Sequence, residues 1–405
     1  MSEAPTLSLC MIVKNEEENL RRCLDSVMDV VDELVILDTG SADDTPDIAE
    51  AYGAKLHYFL WGDDFAAARN ACLAHATGDW VLVLDADEQL VPGVGARLRE
   101  AIATPNALVV NLVRQEIGAA QSPYSLVSRL FRRHPSLSFS RPYHAMVDDS
   151  VAELMRQESH WTVANLPGVA MLHHGYTAEA IASRHKLNKA RLAMERFLVT
   201  HPGDPYACSK LGALYVQMER VRDGVELLER GLQESNLDPS VAYELHYHLG
   251  IAYSQLTHVD QAAQHYQAAI QQAIFPVLKL GAYNNLGSLR RAAGDLAGAE
   301  AAFRAMVEID PEFAIGHYNL GLTLKGMGRF SEAIAHYDQA IQRQPDYAEA
   351  YQNLGVTLFK LGKMPEGLAA FQKAIALHQS QNPVEAHRLR QGLAQMGFTV
   401  TAPEA

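Results

Sequence analysis

Apolar positions along this chain follow two different periods. From Leu7 to about Gly118, short runs of consecutive apolar residues alternate with segments in which apolar residues recur every three or four positions. The runs Leu7–Val13, Leu34–Leu37, Lys55–Phe59, Val81–Leu84 and Leu108–Val113 predict strands. The segments Glu17–Met28, Thr45–Ala51, Phe65–Ala76 and Val94–Ala103 predict the helices between them. Strands that are apolar on both faces and separated by helices imply an α/β domain with a mostly parallel, doubly covered sheet. Ligands of such sheets bind beyond the carboxyl ends of the strands. That directs attention to Lys14-Asn15-Glu16, Asp38-Thr39-Gly40-Ser41 and Asp85-Ala86-Asp87-Glu88. Pro123–Met171 is mixed, with strands expected at Leu126–Phe131 and Val169–His173 and an irregular Phe139–Val147 between them. A helix from Ala178 to Thr200, carrying Lys186, Lys189 and Arg191, leads onward.

From about Gly203 the pattern becomes a long repeat. A Leu-Gly pair recurs at Leu211-Gly212, Leu249-Gly250, Leu286-Gly287, Leu320-Gly321 and Leu354-Gly355. A small residue follows each glycine by twelve positions (Gly224, Ala262, Ala299, Ala333, Gly367), and a bulky one by sixteen (Leu228, Tyr266, Phe303, Tyr337, Phe371). Pro311 and Pro345 stand where helix pairs would end. This period resembles the tetratricopeptide repeat, a helix–turn–helix unit that stacks into an all-α solenoid. Tyr283, Tyr351 and the bulky residues above fall at packing positions. The expected organisation is a first domain over 1–177, a linking helix over 178–204, about five repeats over 205–382 and a capping helix over 383–398.

Composition narrows the function. The 405 residues hold 34 Lys+Arg against 48 Asp+Glu, a formal charge of −14, and no basic run, which disfavours nucleic acid. Cys10, Cys23, Cys72 and Cys208 form no CxxC pair and read as reduced thiols. Met1–Pro5 has no basic leader, and no apolar stretch approaches the ~20 residues of a membrane span. The expectation is a soluble, cytoplasmic protein with no transmembrane segment, though peripheral membrane association is open. Motifs of the forms GxxxxGK[ST], HExxH and GxSxG are absent, and Gly93-Val94-Gly95 reads as a turn before a helix.

Asp85 and Asp87 close a buried strand one residue apart, so they can share a divalent cation as hard oxygen ligands, Mg²⁺ or Mn²⁺ by preference; a solvated turn is the plain alternative. Asp38 ends a second strand too early to cap the following helix, unlike Thr39, Ser41 and Asp43. A base or ribose is a natural partner for an acid so placed.

Four segments together carry a resemblance. They are Leu9–Glu17 (LCMIVKNEE), Leu34–Thr45 (LVILDTGSADDT), Phe65–Asn70 (FAAARN) and Gly78–Glu88 (GDWVLVLDADE). In this order and spacing they resemble the family 2 glycosyltransferases of the GT-A, Rossmann-like fold. The attached repeats are similar to those of a bacterial branch of that family. The resemblance implies an inverting transfer of sugar from a nucleotide donor, commonly a UDP-sugar, assisted by Mn²⁺ or Mg²⁺. By the same resemblance Val13, Lys14, Asn15 and Glu16 border the nucleotide, with Gly40 in the second loop, and Asp38 holds the base. Arg69 faces the diphosphate or lies on a helix surface. Asp85 reaches ribose and metal, Asp87 binds metal, and His173, in Leu172–Tyr176 (LHHGY), completes the metal shell or meets the diphosphate.

Leu130–Arg133 (LFRR) and Pro142–Ala145 (PYHA) resemble a later family segment, except that Ala145 stands where a glutamate is expected. An inverting transfer needs a carboxylate base. Asp148 and Asp149 are the nearest substitutes, with Glu153 behind them. Arg129, Arg132 and Arg133 steer the donor's phosphates or sit on the surface. The repeats either capture an acceptor protein or peptide or serve docking and oligomerisation. Asn284, Asn285, Asn319 and Asn353 either face the groove or belong to repeat packing. Ala145 leaves one alternative from another class: an adaptor whose transferase-like domain has lost catalysis. A glycosidase reading is disfavoured because Asp85 and Asp87 are too close in sequence to flank a sugar bond.

Overall fold

The computed structural model describes residues 4–119, 123–141, 145–174 and 184–398. The chain divides into two compact units, Met1–Ala207 and Cys208–Ala405.

The first unit is built on an eight-stranded sheet of order β3-β2-β1-β4-β7-β6-β8-β5. The strands are β1 (Leu7–Val13), β2 (Glu33–Asp38), β3 (Lys55–Tyr58), β4 (Trp80–Val83), β5 (Glu88–Leu90), β6 (Ala107–Glu116), β7 (Tyr124–Arg132) and β8 (Thr162–His173). β1 to β4 run parallel, as expected, whereas β7 is antiparallel to both β4 and β6, and β5 to β8. The helices are α1 (Leu20–Asp25), α2 (Thr45–Ala51), α3 (Phe65–Leu73), α4 (Val94–Ile102), α5 (Asp148–Gln157) and α6 (Arg184–Thr200). β5 and α5 were not expected. Three residues are too few to show a period, and the acids opening α5 read equally well as a turn. β8 begins seven residues before the expected strand. The first six residues of the expected linking helix, 178–183, lie outside the described residues.

Alternation along the central strands fills two cores. Leu7, Leu9, Met11 and Val13 of β1, with Trp80 and Leu82 of β4, face one layer, which Leu20, Cys23 and Leu24 of α1 cover at helical spacing. Cys10, Val81 and Val83 face the other, covered by Ala68 and Cys72 of α3 and by Val151 and Leu154 of α5. Glu33 ties the opening of the sheet together. Its carboxylate accepts from the Ser8 hydroxyl, from Thr77 N–H and Oγ (both 2.8 Å), and from Lys55 Nζ (2.5 Å). Burial opposes its charge, but these donors hold the carboxyl down at about 2.

The second unit is helical. Among the described residues it pairs α7 (Pro205–Gln217) with α8 (Val221–Gly231), α9 (Pro239–Gln255) with α10 (Val259–Gln271), and α11 (Leu280–Ala292) with α12 (Leu296–Ile309). α13 (Ala314–Gly326) then pairs with α14 (Phe330–Arg343), and α15 (Ala348–Lys360) with α16 (Met364–Gln381), before α17 (Pro383–Gln395) closes the stack. The glycine of the Leu-Gly pair is where two helices meet. A Cβ on Gly321 would stand 2.7 Å from the Tyr337 ring, and one on Gly287 2.7 Å from Phe303. Asn284 and Asn319 are buried between repeats, where Asn319 Nδ2 donates to Asn284 Oδ1 (2.8 Å). Asn353 Nδ2 donates to the Tyr318 hydroxyl (3.1 Å). These amides therefore belong to repeat packing. Among the described residues no helix is long and apolar enough to cross a membrane.

Candidate active site

At the end of β2, Asp38 is 2% exposed. Its Oδ1 accepts from the backbone N–H groups of Gly40 (2.7 Å) and Ser41 (2.8 Å), a turn that Gly40 permits with φ +103°. Its Oδ2 is buried and has no hydrogen-bond partner. A buried carboxylate oxygen left bare is costly, by about 1–3 kcal/mol, unless a ligand donates to it.

The β1 and β2 loops are laced together across this point. Asn15 N–H donates to Ser41 Oγ (2.9 Å), Ala42 N–H to Asn15 Oδ1 (2.8 Å), Glu16 N–H to Thr45 Oγ1 (2.7 Å) and Glu17 N–H to Asp43 Oδ2 (3.2 Å). Ser41 thus holds the neighbouring loop instead of capping α2, Asp43 accepts both from that loop and from Thr45 N–H (3.1 Å), and Thr39 donates to the Val13 carbonyl. Lys14 is exposed, while the Val13 side chain is buried in the first core, so only its backbone borders the loop.

Beyond β4, charges alternate along one connected chain. Asp85 Oδ1 accepts from Arg69 Nη2 (2.7 Å) and Oδ2 from Arg129 Nη2 (2.8 Å). Burial opposes the Asp85 charge, but the two guanidiniums hold its carboxyl far below the usual range. Glu88, 0% exposed, accepts from Asp85 N–H (2.9 Å) and Arg114 Nη1 (2.6 Å). Glu116 accepts on Oε1 from Arg114 Nε (2.9 Å) and Ser125 Oγ (2.6 Å), and meets His173 Nδ1 at 2.5 Å on Oε2. His173 Nε2 faces Asp87 Oδ2 at 3.3 Å. Burial disfavours the imidazolium, yet Asp87 and Glu116 push it up to about 9. Four carboxylates thus meet three guanidiniums and one imidazolium. The Nη1 atoms of Arg69 and Arg129 are buried without hydrogen-bond partners, leaving cationic N–H groups for an anion.

A β-bulge makes this arrangement possible. Val110 pairs with Leu130 but Leu112 with Val127, so β7 carries one extra residue opposite Asn111. A bulge re-aims side chains, and here adjacent residues reach separate acids. Arg129 reaches Asp85, while Ser128 Oγ donates to Asp148 Oδ1 (2.8 Å). Asp149 is committed elsewhere: it pairs with Arg141 (3.1 Å) and accepts from the Ser140 hydroxyl. Asn70 clasps the Phe139 backbone in both directions, at 2.9 and 2.7 Å. Tyr143 and His144 of the PYHA segment, and Gly175 and Tyr176 of LHHGY, lie outside the described residues.

Two sequence readings change. Arg69 is neither on the surface nor free, since it is buried against Asp85. Arg132 lies over the rings of Trp80 (5.0 Å) and Trp161 (5.3 Å), and Arg133 donates to the Gly78 carbonyl (2.7 Å), so neither joins the acids. Glu88 was singled out at its strand end but given no role, and Arg114 and Glu116 were missed. The available signal was Arg114 and Glu116, two charges on one face at the end of a strand whose only other polar residues are Asn111 and Gln115.

A Glycosyl transferase family 2 signature matches residues 8–164, and a Tetratricopeptide repeat signature matches 209–277, 247–312 and 318–382. A TPR repeat-containing protein of Synechococcus elongatus is 46% identical over 305 residues, 75% of this chain and 76% of that protein. The SPbeta prophage-derived glycosyltransferase SunS of Bacillus subtilis is 24% identical over 57% of this chain and 54% of its own length, so the chain spans about half of that relative. Among solved structures, YrrB, described as a TPR protein with an unusual peptide-binding site, aligns with TM-score 0.42 at 18% identity, covering 52% of this chain and 100% of that one. With the strand-end acids, the eight-stranded sheet and the helical repeats on one polypeptide, the chain joins a family 2 glycosyltransferase domain to tetratricopeptide repeats.

Proposed function

We propose that the first unit performs a metal-dependent, inverting transfer of a sugar from a nucleoside diphosphate, UDP in the first instance, and that the repeats present a protein or peptide acceptor. The observation that carries this reading is the set of unsatisfied groups around the ends of β2 and β4. Asp38 Oδ2 lacks a donor, as the N–H of a uracil base would supply, and Arg69 and Arg129 Nη1 lack an acceptor, as a diphosphate would supply.

Asp87 and His173 suit Mn²⁺ or Mg²⁺, because Nε2 and a carboxylate oxygen converge while Glu116 holds Nδ1. Such a carboxylate–histidine arrangement orients metal ligands. Among the described residues no set of three or more His, Cys, Asp or Glu side chains is gathered as a metal cage, so substrate oxygens and water would complete the shell. Asp85 is assigned to orienting Arg69 and Arg129, since both its oxygens already accept from them. A bound cation would neutralise charge on the departing diphosphate. The two arginines would stabilise the same charge as it builds. Asp148 takes the acceptor's proton in this proposal, because Asp149 is held by Arg141. A stack of helix pairs offers the extended surface that a polypeptide acceptor fits.

Release of UDP from a panel of UDP-sugars with Mn²⁺ tests the reading, comparing the native chain with Asp87→Ala. The expectation is Mn²⁺-dependent turnover of at least one donor that falls at least a hundredfold in the variant. Equal rates in the two proteins would overturn it.

A further inference from the structure

In two of the five repeats the same pair of positions is histidine. Counting from the repeat glycine, His246 and His317 stand four residues before it, and His265 and His336 fifteen after. Each pair brings one helix of a repeat against the other with its Nδ1 atoms facing, 3.0 Å apart for His246 and His265 and 3.2 Å for His317 and His336. Two imidazole nitrogens bound to one Zn²⁺ at about 2.0–2.1 Å, with an angle between right and tetrahedral, stand roughly 2.9–3.4 Å apart. In the metal-free chain each pair shares one proton in a ring-to-ring hydrogen bond, and its spacing already falls inside that window, so an ion can take the proton's place without moving the helices.

The ring chemistry agrees. His317 is 5% exposed, and its Nε2 lies 3.0 Å from the Pro311 carbonyl. A carbonyl only accepts, so Nε2 carries the proton and Nδ1 presents its lone pair to His336. That backbone anchor is the usual outer partner of a metal-bound imidazole. In the other pair, the His265 ring stacks on Tyr253 at 5.3 Å, and the Tyr253 hydroxyl donates to Glu229 (2.6 Å), which brings a carboxylate close.

We propose that each histidine pair binds one borderline transition-metal ion of the Zn²⁺ class through its two Nδ1 atoms, water completing the shell, and that the ion clips together the two helices of its repeat. The neighbouring repeats provide an internal comparison. At the same two positions they hold Tyr283 with Ala302 and Tyr351 with Ala370, a large–small pair without metal ligands.

Titration of the full chain with ZnCl₂ against a chromophoric indicator tests this. The native protein should take up two equivalents more than a variant carrying His246→Tyr, His265→Ala, His317→Tyr and His336→Ala. Either pair of substitutions alone should remove one equivalent. These changes copy what the adjacent repeats already pack, so the metal-free melting temperature should hold. Should it fall, His265→Gln and His336→Gln, which preserve size and polarity, must each still lose one equivalent. Equal uptake by native and substituted chains would overturn the proposal, because any Zn²⁺ bound by the first unit is common to both.

Discussion

Replacing Glu116 with glutamine tests the metal assignment through a residue that would not touch the metal. Glu116 Oε1 receives Arg114 and Ser125, and Oε2 receives His173 Nδ1. Arginine only donates, so the single oxygen of a glutamine must stay on the Arg114 side. Its amide NH₂ is then driven toward His173, where Nδ1 must accept, and the imidazole proton moves to Nε2. That atom faces Asp87 at 3.3 Å, the place assigned to the cation. In the native chain the cation displaces the Nε2 proton of the imidazolium while Glu116 keeps the one on Nδ1, whereas in the variant the ring's last proton sits on Nε2 itself. Losing an outer partner of a metal-bound histidine typically weakens binding 10–100-fold. Because this substitution also inverts the tautomer, the upper end is expected, about 100-fold or about 2.7 kcal/mol. The assay is Mn²⁺ titration in the presence of UDP, read from the paramagnetic signal of free Mn²⁺. Ser125→Ala removes a donor to the same carboxylate without reorienting it, and should change Mn²⁺ affinity less than threefold. If Glu116→Gln bound Mn²⁺ within twofold of the native chain while folded, the tautomer argument would be refuted.

Asp38→Asn keeps the acceptor for Gly40 and Ser41 but turns the bare oxygen into a donor. A lost hydrogen bond to a charged group, about 1.5–3 kcal/mol, should raise KM for the donor roughly ten- to a hundredfold with little change in kcat. Asp148→Asn should lower kcat about 10²–10⁴-fold at an unchanged melting temperature, as loss of a general base does. Asp149→Asn should instead lower the melting temperature, because it removes one of the two carboxylates paired with Arg141, the other being Asp204. Glu33 supplies a pH test: its folded carboxyl sits at about 2 against an ordinary 4.5, so its stabilisation is complete above about pH 5 and drains away as pH falls toward 2. The shift corresponds to at most about 3 kcal/mol, and acid unfolding of Glu33→Gln should show a correspondingly shallower loss across that window.

The strand-end acids were legible because buried strands announce where they stop, and Asp38, Asp85 and Asp87 interrupt apolar runs. The repeat register was legible because Gly321 and Tyr337 must be small and large together. What joins the acids was not. Arg129 reaches Asp85 only because β7 bulges opposite Asn111, and an extra residue in a pairing leaves no mark on one strand read alone. Glu88 lies on a three-residue strand and Glu116 at the far end of a long one, and they share Arg114 through pairing across the sheet. Ser41 and Asp43 had the composition of helix caps, and only the neighbouring loop makes them tethers. Asn319 recurs with the repeat whether it faces a groove or another amide, so sequence left both readings standing.

Crystals grown with UDP and Mn²⁺ and measured for manganese anomalous scattering test the central claim most directly. The account predicts one strong peak bonded to the Asp87 carboxylate and His173 Nε2, with diphosphate oxygens in its shell. Nucleotide bound beside Asp38 with no manganese at those two side chains would contradict it.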